Sequence, residues 1–123
     1  MRALVIDDSR TTRKILMRML NKMGFETVEA ADGREGLDRL KEMGASDLVL
    51  VDWNMPVMDG FDFVRAVRAE REYDSVPLVM VTTHNDLESV AQALEAGATE
   101  FIMKPFTEDV IREKLALVGT LEA

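Results

Sequence analysis

The sequence has 123 residues, a length that fits one domain with a buried core. Hydrophobic residues make up 47% and charged residues 31%, a balance typical of a soluble globular chain. The absence of cysteine excludes disulfides and thiolate metal sites, and the net charge of −8 argues against a domain that follows nucleic-acid phosphates. No apolar run is long enough to span a membrane and no signal-peptide pattern opens the chain, so we expect a cytoplasmic protein without membrane insertion.

Short apolar runs alternate with longer amphipathic stretches along the whole chain. The apolar runs predict strands at residues 3–6, 25–30, 48–51, 78–81 and 100–103. Four of the amphipathic stretches show the apolar stripe of a helix: one ends at Gly24, one precedes residues 48–51, one follows Gly60 and one ends at Gly97. A last helix is predicted at about residues 107–118. The residues expected on the buried faces are Ile15, Leu16, Met19, Leu20 and Met23, then Leu37, Leu40 and Met43, then Phe63, Val64 and Val67, then Leu87, Val90, Ala91 and Leu94.

The order of these elements predicts an α/β fold in one domain, residues 1–123. Strands 1, 3 and 4 are apolar on consecutive residues, as parallel strands covered on both faces are. Helices then cross over both faces of the sheet, which makes it doubly wound. Ligands bind at the carboxyl ends of the strands in such folds, so the residues that follow each strand are the candidate site.

Charged and hydroxyl residues follow four of the predicted strands. Asp7-Asp8 follow the first, Asp52 follows the third, Thr82 follows the fourth, and Lys104 follows the fifth. Two carboxylates about 5 Å apart repel by roughly 3 kcal/mol at an effective dielectric constant of about 20. We therefore expect a divalent cation and Lys104 to compensate the acidic cluster. Carboxylate oxygens without a neighbouring thiolate suit Mg²⁺, Mn²⁺ or Ca²⁺, and a carboxylate beside Mg²⁺ is able to accept a phosphoryl group.

These motifs resemble the response regulator receiver domain. The resemblance is carried by Asp7-Asp8, by residues 52–60 (DWNMPVMDG), by Thr82-Thr83 and by Lys104-Pro105-Phe106, in the order and spacing of that family. Within the family, the single-domain chemotaxis regulators are especially similar. The resemblance implies a flavodoxin-like five-stranded parallel sheet of order 2-1-3-4-5 with five helices. It also implies a cis peptide bond between Lys104 and Pro105.

The resemblance implies a two-component signalling switch rather than a metabolic enzyme. Asp52 would accept a phosphoryl group from a histidine kinase or phosphotransfer protein in a Mg²⁺-dependent reaction, and Mn²⁺ would substitute for Mg²⁺. Asp8 would bind the metal directly, Asp7 mainly through a water, and the backbone carbonyl of Asn54 would be a further ligand. Such domains also accept phosphate from small donors and hydrolyse their own aspartyl phosphate.

The same resemblance assigns switch and rim positions. Thr82 would be the switch hydroxyl, Lys104 would contact the phosphoryl group, and a downstream protein would bind the face formed by helix 4, strand 5 and helix 5. The switch aromatic, often Tyr in this family, is Phe101 here. A partner that forms a hydrogen bond with the Tyr hydroxyl could not form it with this chain. We expect Phe101 to be largely buried before phosphorylation. His84 would lie at the pocket rim and modulate dephosphorylation.

Two alternatives to this switch stay open at this point. A phosphatase acting on another substrate would need a substrate pocket, for which the sequence has no motif. A receiver domain cut from a longer regulator would have lost an output domain; no basic recognition helix follows the last helix, so direct nucleic-acid binding is not expected.

Asp59-Gly60 is interpreted as an ordinary turn. The basic residues of the first helix are interpreted as a solvated face or a contact for an acidic partner; they are Arg10, Arg13, Lys14 and Arg18.

Overall fold

The computed structural model describes residues 1–44 and 46–120. Its strands are β1 (Arg2–Ile6), β2 (Glu26–Ala30), β3 (Leu48–Asp52), β4 (Leu78–Thr82) and β5 (Glu100–Met103). Its helices are α1 (Arg10–Lys22), α2 (Gly33–Met43), α3 (Gly60–Arg68), α4 (Leu87–Ala96) and α5 (Glu108–Leu117), with a 3₁₀ turn at Arg71–Tyr73. The predicted elements are all present. Phe25, expected at the start of the second strand, precedes it and is buried.

The sheet is parallel throughout, with strand order β2-β1-β3-β4-β5. This confirms the predicted doubly wound topology. Side chains alternate between the two faces of each strand. In β1, Leu4 and Ile6 join the core under α2, α3 and α4, whereas Ala3 and Val5 join the core under α1 and α5. Because both faces are covered, β3 and β4 are buried at every residue.

Each α-helix begins with a side-chain cap. The capping oxygen accepts a hydrogen bond from the backbone N–H three residues further on, which satisfies one of the donors left free in the first helical turn. The caps are Ser9, Asp32, Asp59, Asp86 and Thr107. Each such cap stabilises its helix by about 1 kcal/mol. The caps also fix where each helix begins after the loop that follows its strand. These loops lie at the sheet edge that carries the candidate site.

Two helical faces differ from the prediction. In α4, Leu87 is 88% exposed and Leu94 is 45% exposed, whereas Ala93 is buried. The helix is therefore turned by about one residue position, roughly 100°, from the expected orientation. The small Ala93 side chain faces the core and the larger leucines face outward. In α1, Ile15 lies at the margin of a wide apolar stripe and is 41% exposed instead of buried.

The described helices include none with the length and apolar character needed to cross a bilayer.

A half-buried guanidinium holds together two loops at the end of the sheet opposite the candidate site. Arg68, the last residue of α3, donates hydrogen bonds to the backbone carbonyls of Tyr73 (2.8 Å), Val76 (2.8 Å) and Gly97 (2.8 Å). It also donates to Thr99 Oγ1 at 3.2 Å. Burial lowers the pKa of Arg68, but a guanidinium stays charged at any physiological pH. The loop before β4 and the loop before β5 are thus held by one side chain.

We predict that Arg68→Lys destabilises the protein. A single ammonium cannot reach the separate carbonyls that the planar guanidinium serves, and hydrogen bonds from a charged group contribute about 1.5–3 kcal/mol each. The expected loss of unfolding free energy in urea is therefore at least about 1.5 kcal/mol. Arg71→Lys, at an exposed position in the adjacent turn, is the matched control and should change stability little. Equal stabilities of the two variants would contradict the prediction.

Candidate functional site

The register of the sheet brings the predicted site residues together. Ile6 pairs with Val51, so Asp7 and Asp52, the next residue of each strand, emerge side by side at the same edge. The carboxyl ends of β1 and β3 thus deliver two carboxylates to one place because their strands are parallel and in this register.

The other half of the sheet supplies a hydroxyl and an ammonium. Asp52 itself pairs with Val81, and Thr82 follows at the end of β4. Thr82 pairs with Met103, after which Lys104 leaves β5 toward the same edge. The peptide bond between Lys104 and Pro105 is cis.

Three carboxylates form the acidic centre of the site. One oxygen from each of Asp7, Asp8 and Asp52 lies within 4.8 Å of the others. Asp7 and Asp52 are buried, whereas Asp8 is exposed. The predicted clustering is therefore present, with one of the three carboxylates open to solvent.

Lys104 is the counter-charge to this centre. Its Nζ lies 3.1 Å from Asp52 Oδ1 and 3.4 Å from Asp7 Oδ2. Burial alone would lower the pKa of Lys104, but the Asp52 and Asp7 carboxylates outweigh that effect and raise it. The ammonium is therefore charged at neutral pH and bridges the two buried carboxylates.

One ammonium does not compensate three carboxylates. Burial, reinforced by the charge of Asp7, raises the pKa of Asp52 to about 6, even though Lys104 acts in the opposite direction. Asp52 is consequently held ionised at neutral pH at a free-energy cost. A divalent cation at the cluster would remove that cost.

The Asp7-Asp8 turn is held by backbone contacts as well. Asp7 N donates to Ala30 O at 3.1 Å, and Asp7 Oδ1 accepts from Ser9 N at 2.8 Å. Arg13 Nη1 donates to the carbonyl oxygen of Asp7 at 2.7 Å. The sequence interpretation placed Arg13 in a solvated face and missed this contact. A basic residue one helical turn beyond the cap of α1 was the available signal.

Gly60 is part of the site rather than an ordinary turn residue, which corrects the sequence interpretation. Its N–H donates to Trp53 O at 2.9 Å, and a Cβ at this position would collide with the carbonyl oxygen of Asp52. Asp59 caps α3 through Asp62 N at 2.8 Å. The loop after the central carboxylate is thereby folded directly back onto β3.

The same loop contains a tight three-residue turn. Met58 N donates to Pro56 O at 2.7 Å across Val57, whose φ is 70°. A β-branched residue rarely adopts this conformation, so the surrounding structure must enforce it. Part of that support comes from α2, because Gly33 N donates to Met58 O at 3.0 Å. Both ends of the loop after Asp52 are therefore fixed.

Aromatic side chains wall one side of the site. The rings of Trp53 and His84 stack with centroids 4.5 Å apart, and Trp53 also stacks on Phe61 at 5.9 Å. The Asn54 side-chain nitrogen lies 3.3 Å from His84 Nε2. His84 therefore lies beside two residues of the segment that starts at Asp52, consistent with the rim position expected for it.

Thr82 lies at the end of β4 and Phe101 lies on β5. Thr82 is buried, and its Oγ1 accepts a hydrogen bond from His84 N at 2.9 Å. Phe101 is half-buried: it packs against the core under α4, and Lys114 Nζ lies 5.0 Å from its ring centroid. The expectation of a largely buried ring is met only in part, since Lys114 rather than the core covers the outer side of Phe101.

The chain is similar to known proteins in sequence and in fold. A family described as the response regulator receiver domain matches residues 3–116. Chemotaxis protein CheY1 of Helicobacter pylori is 41% identical over 119 residues, which cover 96% of each chain. The solved structure of Vibrio cholerae chemotaxis protein CheY4 superimposes with a TM-score of 0.89 at 37% identity, covering 95% of this chain and 97% of the other.

The chain belongs to the response regulator receiver domain family. It is similar to single-domain regulators of the CheY type, and as a receiver domain it is a component of two-component signalling. A chain in the CheX-CheY-BeF3-Mg²⁺ complex of Borrelia burgdorferi is a further structural neighbour, with a TM-score of 0.88 and 28% identity; the match covers 95% of this chain and 87% of the other.

The acidic centre of this receiver domain fits a hard divalent cation. Two oxygen ligands of an octahedral Mg²⁺ at about 2.1 Å lie roughly 3–4 Å apart. The three carboxylate oxygens, which lie within 4.8 Å of one another, are compatible with that spacing after small side-chain movements. The donor set is entirely oxygen, which matches the preference of Mg²⁺ and Mn²⁺.

We predict that Asp52→Asn stabilises the metal-free protein in a pH-dependent way. Because the pKa of Asp52 is raised in the folded state, folding binds a proton between about pH 4 and pH 6, and stability falls as pH rises through that window. Removing the charge should therefore add about 2 to 3 kcal/mol to the unfolding free energy at pH 7.5 and little at pH 4. Lys104 keeps Asp7 as a partner in this variant.

The measurement is urea unfolding in EDTA at both pH values. Asp38→Asn, at an exposed position on α2, is the control for loss of one negative charge. A gain of equal size at pH 4 and pH 7.5 would show that the burial and repulsion of Asp52 are not its cause.

Proposed function

We propose that this receiver domain, residues 1–123, is a phosphorylation-controlled switch that accepts a phosphoryl group on Asp52 in a Mg²⁺-dependent reaction. The observation that carries the proposal is the buried Asp52 carboxylate lying between two further carboxylates and the Lys104 ammonium. The donor is a histidine kinase or a phosphotransfer protein, and the domain acts in the cytoplasm. Its similarity to CheY proteins favours a chemotaxis pathway.

The metal ligands in this proposal are Asp8, Asp52 and the backbone carbonyl of Asn54, with Asp7 acting through a water. The contacts of the acidic pair support this division. Both carboxylate oxygens of Asp7 already have partners, Ser9 N and Lys104 Nζ. The Asp8 carboxylate has no hydrogen-bond or ion-pair partner within residues 1–44 and 46–120, so it is free to bind a cation.

In the transfer step, a carboxylate oxygen of Asp52 forms a bond to phosphorus as the P–N bond to the donor histidine breaks. The electron pair of that bond stays on the imidazole. The metal ion, when bound, neutralises charge on the phosphoryl oxygens. Lys104, already 3.1 Å from Asp52, neutralises a further oxygen without having to move far.

Thr82 is the residue that reads the phosphoryl group. Its hydroxyl oxygen accepts the His84 N–H, so the hydroxyl hydrogen is available for donation to a phosphoryl oxygen. Because β4 is buried along its whole length, a movement of Thr82 has to be taken up by the residues packed around it. Phe101 lies on β5 two residues before Met103, which pairs with Thr82, and is the proposed second element of the switch.

The domain catalyses only its own phosphorylation and dephosphorylation in this proposal. The catalytic groups are Asp52, Thr82 and Lys104, which are those that contact the phosphoryl group. His84 lies at the rim beside Asn54 and modulates the access of water. Small phosphodonors such as acetyl phosphate replace the protein donor because the reacting groups all belong to this chain.

The phosphodonor protein is proposed to dock in an apolar groove that opens beside Lys104. The groove has a volume of about 380 Å³. Its lining residues are Thr12, Ile15, Met19, Thr83, Lys104, Pro105 and Phe106. The exposed Ile15 side chain is explained by this role, since a partner that delivers a phosphoryl group to Asp52 has to approach past this groove.

The downstream partner is proposed to bind the opposite surface, formed by α4, β5 and α5. Leu87, Leu94 and Leu117 are exposed there, and Phe101 lies beneath Lys114. Lys114 also pairs with Glu100 at 3.4 Å. Movement of Phe101 would therefore change both the apolar area and the placement of a charge on this surface.

We predict that acetyl phosphate with Mg²⁺ adds one phosphoryl group to the protein and that Asp52→Asn abolishes the addition. Intact-mass and peptide mass spectrometry locate the modified residue. Phosphate on another residue of the unsubstituted protein would overturn the proposed function.

Asp8→Asn should weaken Mg²⁺ binding more than Asp7→Asn, because only the Asp8 carboxylate is free of other partners. The affinity is measured by calorimetry or by the fluorescence of Trp53, which adjoins Asp52. Equal losses in the two variants would remove the distinction between direct and water-mediated ligands.

We predict that Ile15→Ser lowers kcat/KM for the protein phosphodonor and leaves the acetyl phosphate rate unchanged. The substitution removes apolar area from the groove without touching the reacting groups. Leu117→Ser, also at an exposed aliphatic residue but on α5, is the matched control and should leave both rates unchanged. Equal effects of Ile15→Ser on the two donors would contradict the docking site.

A further inference from the structure

We propose that Arg13, fixed by Glu29, positions the Asp7-Asp8 turn and thereby sets the affinity of the acidic centre for Mg²⁺. This inference rests on the metal site of the proposed function. Arg13 itself is a positioning residue: its guanidinium contacts the backbone of the turn and not a carboxylate of the acidic centre.

The guanidinium is held between two acceptors that belong to different elements. Nη1 donates to Asp7 O at 2.7 Å, and Nε donates to Glu29 Oε1 at 2.7 Å. The Arg13 side chain is only 13% exposed. Glu29 lies on β2, where it pairs with Val5 of β1. The link therefore runs from an edge strand, through α1, to the loop that carries the acidic pair.

The carbonyl of Asp7 is the group through which Asp8 is oriented. It belongs to the rigid, planar peptide unit that joins Asp7 to Asp8, so fixing its oxygen fixes the direction in which Asp8 leaves the turn. The exposed Asp8 carboxylate has no side-chain partner of its own in the described residues. Its position before metal binding thus depends on the backbone, and Arg13 is the side chain that holds that backbone.

Glu29 keeps Arg13 in this position. The pKa of Glu29 is lowered by its hydrogen bonds to Lys14 and Arg13, so its carboxylate stays charged. Lys14 Nζ lies 2.6 Å from Glu29 Oε2 but is not a partner of Asp7. Arg13 and Lys14 therefore share the Glu29 carboxylate, but only Arg13 also contacts the Asp7-Asp8 turn.

A purely electrostatic role for Arg13 predicts the opposite effect. A cation near the acidic centre repels Mg²⁺, so its removal would tighten metal binding. A positioning role predicts weaker binding, because the Asp8 carboxylate would have to be ordered when the metal binds. The sign of the change in affinity separates these two roles.

The test is calorimetric titration of the full chain with Mg²⁺ alone, under conditions where urea unfolding shows each variant to be folded. Arg13→Met should raise the Kd about tenfold. Arg13→Lys should restore little of this loss, because one ammonium does not replace two donors that point in different directions. Lys14→Met removes another basic partner of Glu29, of similar length. It should change the Kd by no more than about twofold, which is well below the roughly tenfold change expected when a residue that orients a metal ligand is removed.

Glu29→Ala should also raise the Kd, and the double variant with Arg13→Met should be no worse than Arg13→Met alone, since both act through one contact. An unchanged or lower Kd in Arg13→Met, or full rescue by Arg13→Lys, overturns the inference. A loss of stability without a change in Kd would make Arg13 merely structural and overturns it as well. Asp8→Asn separates the two proposals: if the unsubstituted protein binds no Mg²⁺, or binds it as well as Asp8→Asn does, the metal site itself is wrong.

Discussion

The mutual repulsion of three carboxylates at one sheet edge is the constraint around which the rest of this molecule is organised. Lys104 offsets only part of it, and burial together with the charge of Asp7 still raises the pKa of Asp52. A group kept ionised against its surroundings gains free energy when a cation binds beside it. The unfavourable charge cluster would therefore favour the binding of a divalent cation, and in the proposed function Asp52 is the carboxylate that accepts the phosphoryl group.

Such a cluster persists only because the backbone beneath it is rigid. The sheet is apolar on both faces, so the strand ends cannot shift without disturbing two cores. Gly60 folds the following loop onto the Asp52 carbonyl, and Gly33 anchors the same loop from α2. Asp7 is held by its amide, its carbonyl and its carboxylate. Strand pairing and helix capping around the site supply the stability that offsets the repulsion between its carboxylates.

Strand periodicity and strand-end chemistry predicted the fold and the residues of the acidic centre, because in a parallel sheet the register alone brings those residues together. The same reasoning predicted the wrong buried face for a helix whose apolar pattern fits two orientations almost equally well. The stripe of α4 allowed two orientations one residue apart, and the structure adopts the one that buries Ala93 instead of Leu94. Arg13 and Arg68 were not predicted to be functional or structural anchors because most of their hydrogen bonds go to backbone carbonyls, which no residue type in the sequence specifies; for Arg13 its place one helical turn beyond the cap of α1 was the only signal.

The ion pair between Asp7 and Lys104 joins residues 97 positions apart. A chain emerging from the ribosome presents its acidic residues long before β5 has been made, since synthesis proceeds from the N-terminus. During that interval the acidic residues lack their fixed ammonium, and Asp52 lacks the neighbour that completes its environment. The acidic centre is therefore complete only when the final βα unit has docked, and until then a copy of the chain would lack the ammonium that is proposed to contact the phosphoryl group.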